Sequence, residues 1–576
     1  MHGGEIVAEV LRGHGVPFVF TLSGGHISPI LVACKARDIR VVDLRHEVNT
    51  VFAADAVARL TGIPGVAVVT AGPGVTNTVT AVKNAQMAQS PLVLIGGATA
   101  TALKGRGALQ DIDQMAVMRP NVKWAARVTR LKDLGPVMER AFREAAGGVP
   151  GPVFVEAPVD LLYPEAVVRD WYLTAGGGGK SLAARLTSAY LRHHLNRMFA
   201  GEARAAAGAA AALAQPGVRA GAVRRAAAVL RGAQRPLLLV GSQAVRDPAR
   251  LDALVAAIGR LGMPVYLTGM ARGLLGAGHP LQCRHKRREA LKEADVVLLA
   301  GVPFDFRLDY GRQIPRRARI VSINLDAGAL RRNRRPQLAV CGDPAAFLIA
   351  LAQATPASGV GAAEWAGHLA DRDQVQEGEI AENVAAPGGL LDPLDLCRAI
   401  DGQLADDSTI VADGGDFIAT AAYTLRPRGP LSWLDPGPFG TLGVGAGFAI
   451  AAKLCRPASE VWLLYGDGSL GFSLAEFDSM ARHGLPVLAV VGNDASWQQI
   501  ARGQIEVLGD DVGTMLARSD YQTAADGLGA RGLLLDDPGQ TAQILDLARR
   551  CVADGRPVLV NAHLGSSEFR KGALSI

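Results

Sequence analysis

Residues 461–496, VWLLYGDGSLGFSLAEFDSMARHGLPVLAVVGNDAS, constrain both the fold and the chemistry of this chain. An apolar run, VWLLY, leads into Gly-Asp-Gly-Ser. A helix-like segment with apolar Leu474, Phe477 and Met480 follows, and a second apolar run, PVLAVVG, ends at Asn493-Asp494. Two strands joined by a helix form a right-handed unit with parallel strands, which puts Asp467 and Asp494 at the carboxyl ends of strands in one sheet. Small glycines beside each acid let a bulky anion approach the backbone. Two hard oxygen ligands next to a phosphate-accepting turn suit Mg²⁺, which keeps few protein ligands and shares its shell with phosphate. For Gly-Asp-Gly alone, a loop of solvated acids is the bland alternative. The second acid, one helix and one strand later, argues for a diphosphate–metal site.

That layout resembles the metal motif of the thiamine-diphosphate-dependent enzymes. The resemblance makes Asp467 the first metal ligand, Asp494 the second and the main-chain oxygen of Ser496 the third, with Gly466, Gly468 and Ser469 along the cofactor's diphosphate. Most members of that family have Asn where this chain has Asp494. Asp is still a hard oxygen ligand, but it adds a negative charge beside a diphosphate, either tightening the metal or weakening the anionic cofactor.

A thiamine enzyme also needs a carboxylate to hold a proton on the aminopyrimidine ring, and such a group works best partly desolvated. VVDLRHEVNTVFAADAVARLTG, residues 41–62, offers Glu47 between an apolar strand and a helix. On local grounds a lone Glu at a helix start is a surface residue favoured by the helix dipole. The order of RHE, the AADAVARLTG helix, the strand and turn GVAVVTAGPG and then VTN resembles the family's pyrimidine-binding domain, and it puts Glu47 on the activating glutamate. A third segment, PGPFGTLGVGAGFAI (436–450), reads alone as a packed helix start. By resemblance, Gly440 there offers its main-chain oxygen to the cofactor amine, and Leu442 is the apolar wedge under the bent cofactor.

At 576 residues, with 49% apolar residues, the chain has room for three ordinary domains. Alternating strand and helix signals predict an α/β protein with three doubly wound parallel sheets: a pyrimidine-binding domain over 1–165, a central Rossmann-like domain over 218–353, and a diphosphate- and Mg-binding domain with its tail over 390–576. Residues 166–217, a linker carrying a helix, and 354–389, a second linker, separate them. GGGGKS near residue 180 is no phosphate loop, because the first glycine of that motif would fall at Thr174 and no strand precedes it. In the central block, strand-end glycines in PLLLVGSQ and VVLLAGVPFD, with Asp326, suit a nucleotide, and family members hold FAD or ADP there or nothing; a purely structural domain stays open. The formal net charge of +6 is modest on this length, and the Arg-rich patches at 316–321 and 330–336 lack interleaved aromatics, so no nucleic-acid binding is expected. Six cysteines without CxxC spacing, most in apolar or helical contexts, read as reduced core thiols. No apolar run is long enough to span a bilayer. A cytoplasmic location is expected, although relatives in one branch carry an N-terminal membrane segment.

Segments TLSGGHISPIL, LQDIDQMAVMRPNVKWAARV, GMARGLLGAGHPL and EFRKGALSI resemble the branch that holds 2-hydroxyacyl-CoA lyases, benzaldehyde lyases and acetolactate synthases. The resemblance implies a carbon–carbon lyase or carboligase cleaving a 2-hydroxyacyl-CoA to an aldehyde and formyl-CoA, or the reverse. An acetolactate-type carboligase acting on pyruvate is the alternative, and a non-catalytic cofactor-binding subunit is a further one. His26 and Gln110 fall on the residues that face the substrate carbon, where His suits proton transfer; a structural turn histidine is the plain reading of His26 in isolation. A homodimer or homotetramer is implied, because in this family a site joins domains of two subunits. Arg570 and Lys571 in the tail are candidates for CoA phosphates, against a frayed solvated end.

Overall fold

The computed structural model describes residues 1–175, 181–203, 217–356, 360, 362–382, 389–565, 567 and 569. The glycines of GGGGKS, residues 204–216, 357–359, 361 and 383–388 of the linkers, and the tail residues Arg570 and Lys571 lie outside them. The chain forms two compact units, Met1–Ala214 with Gly437–Ala451, and Gln215–Pro436 with Ala452–Ile576.

In the first unit, β1 (Phe18–Leu22), β2 (Arg40–Asp43), β3 (Gly65–Val69), β4 (Leu92–Ala98), β5 (Trp124–Arg127) and β6 (Pro152–Pro158) form one parallel sheet in the order β2-β1-β3-β4-β6-β5. Every residue of β3, β4 and β6 is buried, as expected of strands covered by helices on both faces. The helix Glu47–Thr61 is almost wholly buried and ends at Gly62, whose φ of 74° makes the left-handed cap. The segment Gly437–Ala451 packs on it. Phe448 meets Phe52 edge to face at 6.1 Å, and a Cβ on Gly447 would fall 2.8 Å from the Asn49 carbonyl oxygen. Only glycine permits that approach.

The second unit holds two sheets. β7 (Pro236–Val240), β8 (Val265–Leu267), β9 (Gln282–Cys283), β10 (Val296–Ala300), β11 (Arg319–Asn324) and β12 (Leu338–Cys341) run parallel in the order β12-β11-β10-β7-β8-β9. β13 (Thr409–Asp413), β14 (Trp433–Leu434), β15 (Val461–Gly466), β16 (Leu488–Asn493), β17 (Arg531–Leu535) and β18 (Val558–His563) run parallel in the order β14-β13-β15-β16-β18-β17. The third sheet repeats the strand order of the first, as the shared architecture of those two blocks leads one to expect. All three are doubly wound, and each reverses its strand order at one crevice, where such sheets bind ligands. No helix among the described residues is long and apolar enough to cross a membrane. Of the cysteines expected in the core, Cys34, Cys283 and Cys397 are buried, whereas Cys455 and Cys551 are half-buried and Cys341, at the end of β12, is exposed.

Candidate active site

The reversal in the first sheet lies between β1 and β3. His26 follows β1 and Thr70 follows β3, and His26 Nδ1 sits 3.1 Å from Thr70 Oγ1. Burial lowers the pKa of the half-buried His26 ring, which keeps it neutral and able to accept a proton near neutral pH. The loop that starts at Thr70 also touches the other two candidates. Gly72, at φ 62° and ψ −113°, adopts a backbone conformation that favours glycine, and a Cβ there would lie 2.9 Å from Gln110 Cβ. A Cβ on Gly74 would lie 3.7 Å from Glu47 Oε1, and Asn77 Nδ2 donates to Glu47 Oε2 at 3.0 Å. Glu47 itself is 8% exposed, at the start of its helix. Residues 70–77 thus bring His26, Gln110 and Glu47 to one loop.

Buried Gln114 braces that loop. Its Oε1 accepts from the Gly72 amide at 2.7 Å, and its Nε2 donates to the Gly97 carbonyl at 3.1 Å. A Cβ on Gly97 would lie 2.7 Å from His26 Cβ, so Gln114 fixes the backbone on both sides of the histidine. Gly440 belongs to the same unit, with φ 66° and no atom within 4 Å of the position of a Cβ, and half-buried Leu442 follows it.

The reversal in the third sheet lies between β13 and β15. Asp467 closes β15, and Asp494 follows the neighbouring β16. Asp467 Oδ1 accepts from the Gly468 amide at 2.8 Å, while its Oδ2 is buried without a hydrogen-bond partner among the described residues. Asp494 Oδ1 accepts from the Ser496 amide at 3.1 Å. Burial raises the Asp467 carboxyl. Burial and then the charge of Asp467 push Asp494 up to about 7. Two desolvated carboxylates that disfavour each other's charge, one with an orphaned oxygen, form a donor set that a divalent cation satisfies. The residues fit Mg²⁺ with a diphosphate.

The Asp494 loop is held from several sides. Arg518 donates to the carbonyls of Asn493 and Leu564 at 2.6 and 2.7 Å, tying the ends of β16 and β18 together. Trp497 N donates to the Thr514 carbonyl and Leu516 N to the Ala495 carbonyl, both at 2.8 Å. Between the two proposed ligands, Ala495 takes a φ of 57°. A non-glycine residue there costs about 1 kcal/mol. Ala495→Gly is therefore expected to stabilise the protein by roughly 0.5–1 kcal/mol, seen as a higher denaturation midpoint with an unchanged denaturant slope. A lower midpoint would mean that the alanine methyl packs better than its backbone suggests.

A Cβ on Gly468 would lie 2.4 Å from the Trp497 ring, so its missing side chain makes room for the indole. Sequence reasoning passed over the glycine pair Gly414 and Gly415, at φ 77° and 80° after β13. Gly415 has nothing within 4 Å of the position of a Cβ, and it starts the helix Gly415–Thr424 across the crevice from Asp467. Ser469 Oγ donates to the Asp413 carbonyl at 2.5 Å and locks the two strand ends together. A glycine pair directly after an apolar strand was the available signal.

Three family models match the chain. The thiamine pyrophosphate enzyme N-terminal TPP-binding domain covers residues 1–117, the central domain 223–351 and the C-terminal TPP-binding domain 413–562. The chain belongs to the thiamine pyrophosphate enzymes. Among its relatives, 2-hydroxyacyl-CoA lyase 2 of Danio rerio is 50% identical over all of this chain and 93% of its own length, and that of Homo sapiens is 50% identical over all of this chain and 92% of its own. The acetolactate synthase large subunit of Mycobacterium tuberculosis is 33% identical over 97% of this chain and 95% of its own length. In this thiamine pyrophosphate enzyme one side chain links two strand ends of the central sheet. Gln243 bridges the ends of β7 and β11, donating to Asn324 Oδ1 at 2.9 Å and accepting from the Leu325 amide at 3.1 Å.

Proposed function

We propose that this enzyme cleaves the carbon–carbon bond of a 2-hydroxyacyl-CoA to an aldehyde and formyl-CoA, or runs the reverse condensation. The observation that carries this reading is the single loop, residues 70–77, which holds a proton acceptor (His26), an amide (Gln110) and a buried carboxylate (Glu47) together. Full-length likeness to 2-hydroxyacyl-CoA lyase 2 supports the substrate class. When bound, thiamine diphosphate supplies an acidic carbon that attacks a carbonyl and then stores the electron pair of the broken bond. The residues of the chain do the rest. Asp467, Asp494 and the main-chain oxygen of Ser496 would hold Mg²⁺, and through it the diphosphate, with Gly466, Gly468 and Ser469 beside them. Glu47 would hold a proton on the aminopyrimidine, Gly440 would accept from its amine, and Leu442 would support it from below.

His26 would take the proton from the substrate's hydroxyl as the bond between the carbinol carbon and the thioester carbonyl breaks. Its Nδ1 faces Thr70, so Nε2 is the nitrogen left for substrate. Gln110 would hold a substrate oxygen by hydrogen bonding. A proton returned to the former carbonyl carbon completes formyl-CoA, and aldehyde and formyl-CoA together contain every atom of the substrate.

The likeness to acetolactate synthases favours one second reading, carboligation of pyruvate with loss of carbon dioxide. Incubation of the holoenzyme with a 2-hydroxyacyl-CoA and, separately, with pyruvate is expected to yield aldehyde and formyl-CoA by mass spectrometry from the first. Acetolactate from the second, with no aldehyde from the first, would replace the proposed reaction with the other.

A further inference from the structure

The second unit contains a cavity of about 560 Å³, within the size range of small-molecule sites. The ends of β8 and β9, the stretch that follows β9, the last turn of the helix Gly415–Thr424 and Phe569 enclose it. Five cations, Arg272, Arg284, Lys286, Arg287 and Arg288, line it against one lining carboxylate, Glu289.

Three of these cations hold the wall together. Arg284 donates to Glu377 and to the carbonyls of Tyr423, Thr424 and Leu425, Arg272 to the Ala422 carbonyl, and Arg287 to the Arg307 carbonyl. Burial disfavours the charge on each of the three, which an anion in the cavity would offset. Lys286 and Arg288 are exposed, and their side chains make no hydrogen bond or ion pair among the described residues. Lys286 is held in the left-handed region, at φ 47°.

The polar groups deeper in the wall point to a ligand. Gln282 Oε1, Gln313 Oε1, Gln376 Oε1 and His285 Nδ1 are all buried without a partner among the described residues, and all four residues line this one cavity. Buried polar atoms are nearly always paired, so four orphans around one space mark a site that something polar fills. The amide ends can be turned to donate or accept as a planar heterocycle requires. Tyr423 and Phe569, edge to face at 5.9 Å, add aromatic surface. Phosphate, a polar heterocycle and an apolar ring face describe a phosphorylated nucleoside.

One helix connects this cavity to the metal-binding residues. The helix Gly415–Thr424 begins at the glycine pair beside Asp467, and Tyr423, eight residues on, lines the cavity about 12 Å further along its axis. An extended pantetheine arm is longer than that. We propose that this cavity takes the phosphorylated adenosine end of a CoA thioester, leaving the acyl end to reach the crevice of the third sheet. The assignment rests on the 2-hydroxyacyl-CoA reading above.

The test compares two substrates that carry the same 2-hydroxyacyl group, one on CoA and one on N-acetylcysteamine, which lacks the nucleotide. In the full-length holoenzyme, Lys286→Gln combined with Arg288→Gln is expected to lower the preference for the CoA ester, measured as the ratio of kcat/KM values, about tenfold or more, through KM. Reversal of charge by Arg288→Glu should lower it further. Thermal melting confirms that both variants are folded. An unchanged ratio would overturn the proposal. Calorimetry with CoA, 3′-phospho-ADP and ADP separates the sources of the nucleotide. Weaker CoA and 3′-phospho-ADP binding in the variants supports the site, even if no thioester is cleaved and the catalytic reading falls. Tight ADP binding that CoA cannot displace would overturn it in favour of a resident nucleotide.

Discussion

Glu47→Gln is expected to keep the fold and the cofactor while losing a hundredfold or more in turnover. The side chain keeps its shape, so the Asn77 amide can still donate to an oxygen at position 47, and the close approach of Gly74 is undisturbed. What disappears is the group that holds and yields a proton. Positioned acid–base groups contribute about 10²–10⁴-fold. The measurement is twofold: initial rates on a 2-hydroxyacyl-CoA, and thiamine diphosphate content after gel filtration. Lost activity with retained cofactor is the expected pair of results. Turnover within a few-fold of the parent would remove Glu47 from the chemistry.

Asp467→Asn is expected to abolish cofactor retention without harming the apoprotein. The Gly468 amide keeps an acceptor at the new side chain, and the orphaned, desolvated oxygen no longer carries charge. The apo variant should therefore melt at or above the temperature of the apo parent. A ligand present at about 100 times its Kd stabilises the folded state by about 2.7 kcal/mol, so Mg²⁺ with thiamine diphosphate should raise the melting temperature of the parent by several degrees. The variant should show almost none of that rise. An equal rise in both would mean that the diphosphate is held elsewhere.

The fold was legible because its strands are continuous apolar runs ending in glycine and acid, the pattern of doubly wound parallel sheets. Asp467 and Asp494 could be read as neighbours for the same reason, since one crossover separates them. Glu47 was harder. Locally it is an ordinary helix-start acid, and only the order of the surrounding segments singled it out. The brace formed by Thr70, Gln114 and Asn77 went unread, because each of its bonds joins residues 30 to 44 apart in the chain. The contact of Gly468 with the Trp497 ring went unread because that ring arrives from beyond the next strand. The RHKRR run at 284–288 has no distinctive spacing, and it becomes meaningful only when the walls of the cavity close around it.

The first unit is built from two pieces of chain that the ribosome makes far apart in time. Its buried helix Glu47–Thr61 has to wait for Phe448 and Gly447, which emerge only after more than 430 residues have been made. At about 5–20 residues per second, the roughly 390 residues between the helix and Phe448 take about 20–80 s. During that time, the apolar face around Phe52 lacks the covering that Phe448 provides. Premature termination between residues 159 and 436 would leave a fragment that carries the whole first sheet and still lacks the segment that packs on its buried helix. The first unit is therefore completed late in synthesis, by a segment of fifteen residues.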